Sequence, residues 1–234
     1  MFLVVLVLCL LSVFFAMEFF KAYKYVKKIQ GNPTTEIRNL ERGRFEIQGV
    51  VSEESEMIES PLSQRKCVGY FLMIKELSDK KWRERASVNT FKKCILDDGT
   101  GTCKVDLTHM EFDLNSKYLS HSGRFDDPTE QEQKILQRFG ITPTKRNTGW
   151  NRTFSYEEYI LRTGDSIYLV GHCEPQPSSD YAHKMWGTSD TPLFLSDKSE
   201  TELLKKHGSK AGFWGFLIFL SMSTAMYVLL FKIW

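Results

Sequence analysis

The chain has 234 residues, a formal net charge of +2 and a mean hydropathy of −0.30. Near-neutral charge without a basic stripe interleaved by aromatics argues against a nucleic-acid binder, and five cysteines without a Cys-x-x-Cys pair give no zinc-ligand pattern. The hydrophobic residues, 42% of the total, are unevenly spread, and that unevenness sets the architecture.

The N-terminal run MFLVVLVLCLLSVFFAM carries no side-chain charge until Glu18, and AGFWGFLIFLSMSTAMYVLLF, from Ala211 to Phe231, carries none at all. At about 1.5 Å of rise per residue, roughly twenty helical residues span a hydrocarbon core of roughly 30 Å. The second run is expected to be a transmembrane helix over 211–231. The first competes with a cleaved signal peptide, but it lacks a basic leader, and Glu18, Phe19 and Phe20 stand where a small-residue cleavage motif belongs, so an uncleaved anchor over 1–20 is expected. Lys21, Lys24, Lys27 and Lys28 follow the first helix, and Lys205, Lys206 and Lys210 precede the second. By the positive-inside bias these flanks keep the central domain cytoplasmic and both termini outside, in a two-pass protein whose first partner is the bilayer. Lys232 alone opposes that orientation; the flanking lysines read first as headgroup-level cations, with binding of anionic lipid as the alternative.

Residues 21–42 read as a basic juxtamembrane helix and linker, broken by GNPT at Gly31–Thr34. A domain over 43–198 follows. RFEIQGVV (44–51) alternates as a strand, and VGYFLMIKE (68–76), with Val68, Tyr70, Leu72 and Ile74 on one face, reads as a central strand. SVNTFKKCIL and TCKVDL flank an Asp-Gly turn; FSYEEYIL (154–161) is a strand, and SIYLVGHCE (166–174) follows a turn at Gly164-Asp165. A helix inserted at about 127–140 has Asp127 as cap, Pro128 in first position, Glu130 completing a capping box and Gly140 as stop, between polar stretches at 120–126 and 143–148. Ser199 with Glu202 opens a juxtamembrane helix over 199–210, with a break expected at Gly208. Many strands with one inserted helix define a mainly β (α+β) domain, an OB-like or open β-barrel flanked by two transmembrane helices.

In KKCILDDGTGTCKVDL, a two-residue turn at Asp98-Gly99 would set Cys94 opposite Cys103 at a non-hydrogen-bonded pair, where a cross-strand disulfide is sterically reachable. On the reducing side of a membrane the pair reads first as two free strand thiols, then as a labile staple, last as a metal site; a turn centred on Gly99-Thr100 would slip the register. SPLSQRKC (60–67) offers Ser60 or Cys67 as a nucleophile, against the plainer reading in which Ser-Pro starts a turn and Cys67 enters a buried strand. His172, near the end of an apolar strand, reads as a structural imidazole. Asn151-Arg152-Thr153 is a glycosylation sequon relevant only to a lumenal domain. DDGTG lacks the Lys-Ser/Thr of a phosphate loop, and Glu53, Glu54, Glu56 and Glu59 form an exposed acidic loop.

GRFEIQGVV, SPLSQRKCVGY, FKKCILDDGTGTCKVD, FSYEEYILRTGDSIYLVG and LFLSDKSETELLKKHG, in that order before an apolar helix, resemble the GIDE or beside-a-membrane domain. That family is known from membrane-anchored mitochondrial ubiquitin ligases and has prokaryotic relatives without a ligase module. The resemblance implies a substrate- or partner-binding domain lying against the membrane, with ligase chemistry supplied by a C-terminal RING. This sequence departs from the pattern after Phe231, where only Lys232, Ile233 and Trp234 follow and no RING ligand set stands. The function expected is therefore a membrane-anchored, non-catalytic binding or scaffold protein with a membrane or cytoplasmic protein partner and no metal or cofactor. The alternatives are a ligase-related protein acting with a separate RING or conjugating partner, and a small membrane-bound hydrolase using Ser60 or Cys67. Candidate contact residues, placed by turn geometry, are Ser60, Arg65, Asp97, Asp98 and Asp165.

Overall fold

The computed structural model describes residues 2–29, 34–115, 117–144, 151–176 and 181–231. In chain order the elements are α1 (Phe2–Ile29), β1 (Gly43–Val51), β2 (Ile58–Glu59), β3 (Lys66–Cys67), β4 (Gly69–Ser78), β5 (Lys81–Phe91), β6 (Cys94–Asp97), β7 (Thr102–Val105), β8 (Met110–Asp113), β9 (Lys117–Ser122), α2 (Glu130–Arg138), β10 (Phe154–Leu161), β11 (Ser166–Pro175), β12 (His183–Trp186), β13 (Leu193–Ser196) and α3 (Glu200–Phe231), with a 3-10 turn at Ile37–Asn39. They form two units, Met1–Pro33 with Lys198–Trp234, and Thr34–Asp197.

In the first unit, α1 and α3 each contain a stretch long and apolar enough to cross a membrane, Leu6–Lys27 and Glu200–Val228. The two helices meet through the Ser12 and Ser221 hydroxyls at 2.8 Å, the tilted rings of Phe15 and Trp214 at 5.8 Å, and a Tyr25–His207 stack at 3.8 Å. Small hydroxyl residues at such a contact let apolar helices approach closely. The expected cap of α3 is present: the Glu202 N–H donates to Ser199 Oγ at 3.3 Å and the Ser199 N–H to Glu202 Oε2 at 3.1 Å. The break expected at Gly208 is absent, and α3 runs through it. One glycine costs a helix only about 1 kcal/mol, which the long apolar continuation outweighs. The helix break expected at 31–33, Lys232, and the 145–148 part of the polar stretch lie outside the described residues.

The second unit is mainly β. A seven-stranded sheet runs β1-β6-β7-β12-β11-β13-β8, and β1 also pairs with β11, so five strands close into a barrel from which β13 and β8 extend. The β7–β12 and β13–β8 pairs are parallel. Its core holds Ile47, Leu96, Val105, Leu169 and Met185, with Ile37 of the 3-10 turn fully buried among them. A second, antiparallel sheet, β5-β4-β10-β9, buries one face against α2, joining Leu72, Ile74, Phe154 and Tyr156 to Ile135 and Leu136. Each such aliphatic side chain contributes about 1.5–3 kcal/mol on burial. A short β2–β3 ribbon carries the SPLS loop.

Three expectations are corrected. SVNTFKKCIL is not one strand: it is split at Lys92-Lys93 between β5, in the four-stranded sheet, and β6, in the barrel. The α2 cap is Thr129, not Asp127, with Thr129 and Glu132 forming the capping box and Pro128 left outside the helix; Gly140 does take the left-handed conformation of a helix stop, φ +64°. The Asp-Gly turn is also wider than two residues. Asp97 pairs with Thr102, so Cys103 faces Leu96 and Cys94 faces Val105, and the direct Cys94–Cys103 pairing does not form. The wide loop is held by Asp98 Oδ1, which accepts from the Thr100 and Gly101 N–H groups at 2.8 and 3.2 Å. A genuine two-residue turn occurs instead between β4 and β5, where Asp79 and Lys80 both take positive φ, +52° and +62°, as a type I′ turn requires.

Candidate functional site

The SPLS segment is a loop closed by its own backbone, the Ser60 N–H donating to the Arg65 carbonyl at 3.0 Å and the Gln64 N–H to the Ser60 carbonyl at 3.1 Å. Inside it lies the carboxylate of Glu158, on the α2-facing side of β10 and fully buried. Glu158 accepts the Leu62 N–H at 2.8 Å, the Ser63 N–H at 3.0 Å, the Ser60 hydroxyl at 3.1 Å and the Ser63 hydroxyl. A buried carboxylate is tolerated when several donors replace its water, and these donors do so.

This arrangement corrects the exposure expected of Ser60, which is 1% exposed, while Arg65 at the far end of the loop is exposed. The hydrolase expectation fares no better on geometry. The Ser60 hydroxyl is shared between Glu158 and Ser63. Burial, and secondarily the charge of Glu158, pushes the Cys67 thiol up to about 11. A nucleophilic cysteine needs the opposite shift.

Asp97 and Asp98 are brought together with Gly164 and Ser166, the neighbours of Asp165, around a groove of about 570 Å³ bordered by β1 from Gln48 to Val51. Asp98 is structural. Its Oδ2 accepts the Ile37 N–H at 2.7 Å, and Thr100 adds its hydroxyl to Oδ1 at 2.7 Å. Burial alone would raise the Asp98 carboxyl, but these donors outweigh it and hold it below the usual carboxylate range. The Asp165 carboxylate is turned to Arg162, accepting its N–H at 2.8 Å and its guanidinium at 3.2 Å, while the Asp165 carbonyl accepts the Val51 N–H at 2.9 Å. Asp97 remains exposed, and its carboxylate accepts the Gly99 N–H at 2.7 Å. Beside it Val50 is 45% exposed. The groove wall is tight: a Cβ on Gly49 would lie 2.7 Å from the Asp97 carbonyl oxygen.

Cys94, Cys103 and Cys173 are all free and lie in the barrel core. Burial pushes Cys94 to about 12 and Cys173 to about 11, and raises Cys103 further. Among the described residues no group of three or more His, Cys, Asp or Glu is placed to hold a metal ion. His172 shares a hydrogen bond of 2.9 Å with the Thr191 hydroxyl, and the sequon side chain of Asn151 donates to Asp127.

Glu158 was not singled out by the sequence patterns. Its signal was nonetheless present: in FSYEEYIL it holds the same inward parity as Phe154, Tyr156 and Ile160, and a carboxylate at a core position needs dedicated donors.

The described residues form a closed five-stranded barrel carrying a second sheet, with two terminal helices long and apolar enough to cross a membrane. A family model described as "GIDE: E3 Ubiquitin ligase" matches residues 72–230, from β4 through most of α3, and the chain belongs to the GIDE family. The matched stretch contains the Asp97-Asp98 turn, Glu158 and the Gly164 turn; SPLSQRKCVGY lies ahead of it. No curated protein and no solved structure matches the chain.

Proposed function

We propose that this protein is a membrane-anchored recognition module whose barrel-end groove takes a segment of a partner protein. The observation that carries this reading is the contrast between two sets of polar residues. Ser60, Cys67 and Glu158 are buried and committed to the fold, whereas the groove presents exposed Asp97 and exposed apolar Val50 beside each other. A groove of that character suits a segment bearing a basic and an apolar side chain. The lysines in the last turns of α1 and the first turns of α3 support a two-pass topology with the domain on the cytoplasmic side.

The second reading, favoured by the family description, is a ligase-related protein that presents substrates to a separate RING or conjugating partner. The test is purification of the full chain from native membranes in mild detergent, followed by a discharge assay with ubiquitin-loaded conjugating enzyme. Recognition without chemistry predicts a stoichiometric partner and no acceleration of discharge by the chain alone. Discharge by the purified chain would overturn that reading, and discharge only when the partner is present would favour the second.

A further inference from the structure

The outward side of the barrel carries a cleft of about 470 Å³ bordered by four lysines, Lys92, Lys93, Lys104 and Lys184, against one carboxylate, Asp106. Lys104 and Lys184 are direct partners in the parallel β7–β12 pair, and Lys104 alternates with the buried Cys103 and Val105, so both ammonium groups belong to the outer face. Like charges placed directly opposite destabilise a sheet. This pair therefore works against the fold, and an anion between the two would relieve it.

The neighbouring carboxylates are committed to other partners than Lys104. Asp106 accepts the Thr108 hydroxyl at 2.6 Å and the Thr108 N–H at 3.1 Å, and it pairs with Lys184 at 3.2 Å. Glu56 lies 3.3 Å from Lys92, and the Lys93 ammonium sits 4.5 Å from the Tyr181 ring centre. Lys104 has no carboxylate partner among the described residues. The backbone around Lys92-Lys93 is pinned, the Lys92 N–H to the Val68 carbonyl at 2.9 Å and the Lys93 carbonyl to the Glu56 N–H at 3.0 Å. That pinning is what breaks the SVNTFKKCIL run between the two sheets and sets both lysines at their seam. Phe91 and Leu107 add an apolar border.

We infer that this cleft binds a small phosphate-bearing ligand, held chiefly between Lys104 and Lys184. Its volume falls within the roughly 300–1,000 Å³ of small-molecule sites. Compact ammonium groups are point-charge donors suited to phosphate, and the apolar border suits an attached organic group. A free nucleotide and an anionic lipid headgroup share this chemistry. The site is separate from the barrel-end groove and stands independently of the function proposed for that groove.

The test uses the full chain in phosphatidylcholine nanodiscs, titrated calorimetrically with pyrophosphate and with ATP. A parallel arm follows thermal unfolding of the domain in discs doped with phosphatidylinositol bisphosphate. Saturable binding that weakens with added salt is expected in one arm, and the arm identifies the source of the phosphate. Lys104→Glu should weaken it about tenfold or more, yet unfold no earlier than the wild type, because the new carboxylate opposes Lys184. Lys92→Gln, which leaves the ladder untouched, should weaken binding in the same arm by a smaller factor. Absence of saturable binding in both arms, or binding unchanged by Lys104→Glu, would overturn the assignment.

Discussion

Leu62 and Glu158 are 96 positions apart, and the Leu62 N–H donates to Glu158 Oε1 at 2.8 Å inside the protein. That bond and its three companions make one carboxylate the anchor of the whole SPLS loop. Glu158→Ala leaves the Leu62 and Ser63 N–H groups without their acceptor and is expected to cost about 3 kcal/mol or more. Glu158→Gln keeps one acceptor oxygen and should cost less. Thermal unfolding of the full chain in detergent measures both; equal and negligible losses would mean that the loop is held by something else.

Acid should destabilise the domain through its paired carboxylates. Burial would raise Glu76, but Arg152, donating from Nε and a terminal nitrogen at 2.7 and 2.6 Å, together with Arg85, outweighs it and lowers the carboxyl. Glu157 is lowered in the same way, its burial outweighed by Lys75 and Lys117 at 2.7 and 3.0 Å. A folded-state value below the unfolded one means stability that is present above the unfolded value, about 4.3, and is lost as pH falls through the folded one. The melting temperature is therefore expected to hold from pH 7 to about 5 and to fall below that. Glu76→Gln should melt lower at neutral pH and flatten the acid slope.

The buried thiols of the domain should be chemically silent while it is folded. With Cys94, Cys173 and Cys67 displaced upward to about 12, 11 and 11, the thiolate fraction at neutral pH is negligible. Maleimide labelling counted by mass spectrometry should leave Cys67, Cys94, Cys103 and Cys173 unmodified in native conditions and modify all four in denaturant. Reducing agent should not shift the melting temperature, since Cys94 faces Val105 and not Cys103.

Gly49 is required by proximity. An added Cβ would lie 2.7 Å from the Asp97 carbonyl oxygen and 2.9 Å from Leu96 Cγ. Gly49→Ala is expected to cost about 1–3 kcal/mol by forcing β1 from β6, measurable by thermal unfolding, whereas Gly99→Ala meets no atom and is penalised only through its φ of +81°.

Where two-residue alternation was strong, the sequence predicted structure closely: FSYEEYIL is β10 to the residue, and RFEIQGVV and SIYLVGHCE lie within β1 and β11. Four-residue strands such as β12 and β13 were not seen, because so short a run shows too little period. LFLS is buried at every position, between β11 and β8, and so does not alternate at all. The turn before Cys103 is wider than its Asp-Gly pattern implies because Asp98 holds the Thr100 and Gly101 N–H groups and also reaches Ile37, 61 positions away. Of the candidate contact residues, Asp97 and Asp98 meet at one groove with the Gly164 turn, while Ser60 is drawn inward by a partner that no local pattern reveals.

The most direct test of the recognition-module proposal is site-specific photo-crosslinking from position 50, beside Asp97, in native membranes. A groove that holds a partner predicts one discrete adduct, lost on Asp97→Lys and absent when the probe is moved to exposed Arg65. Adducts that are equally diffuse from both positions, or that persist in Asp97→Lys, would contradict it.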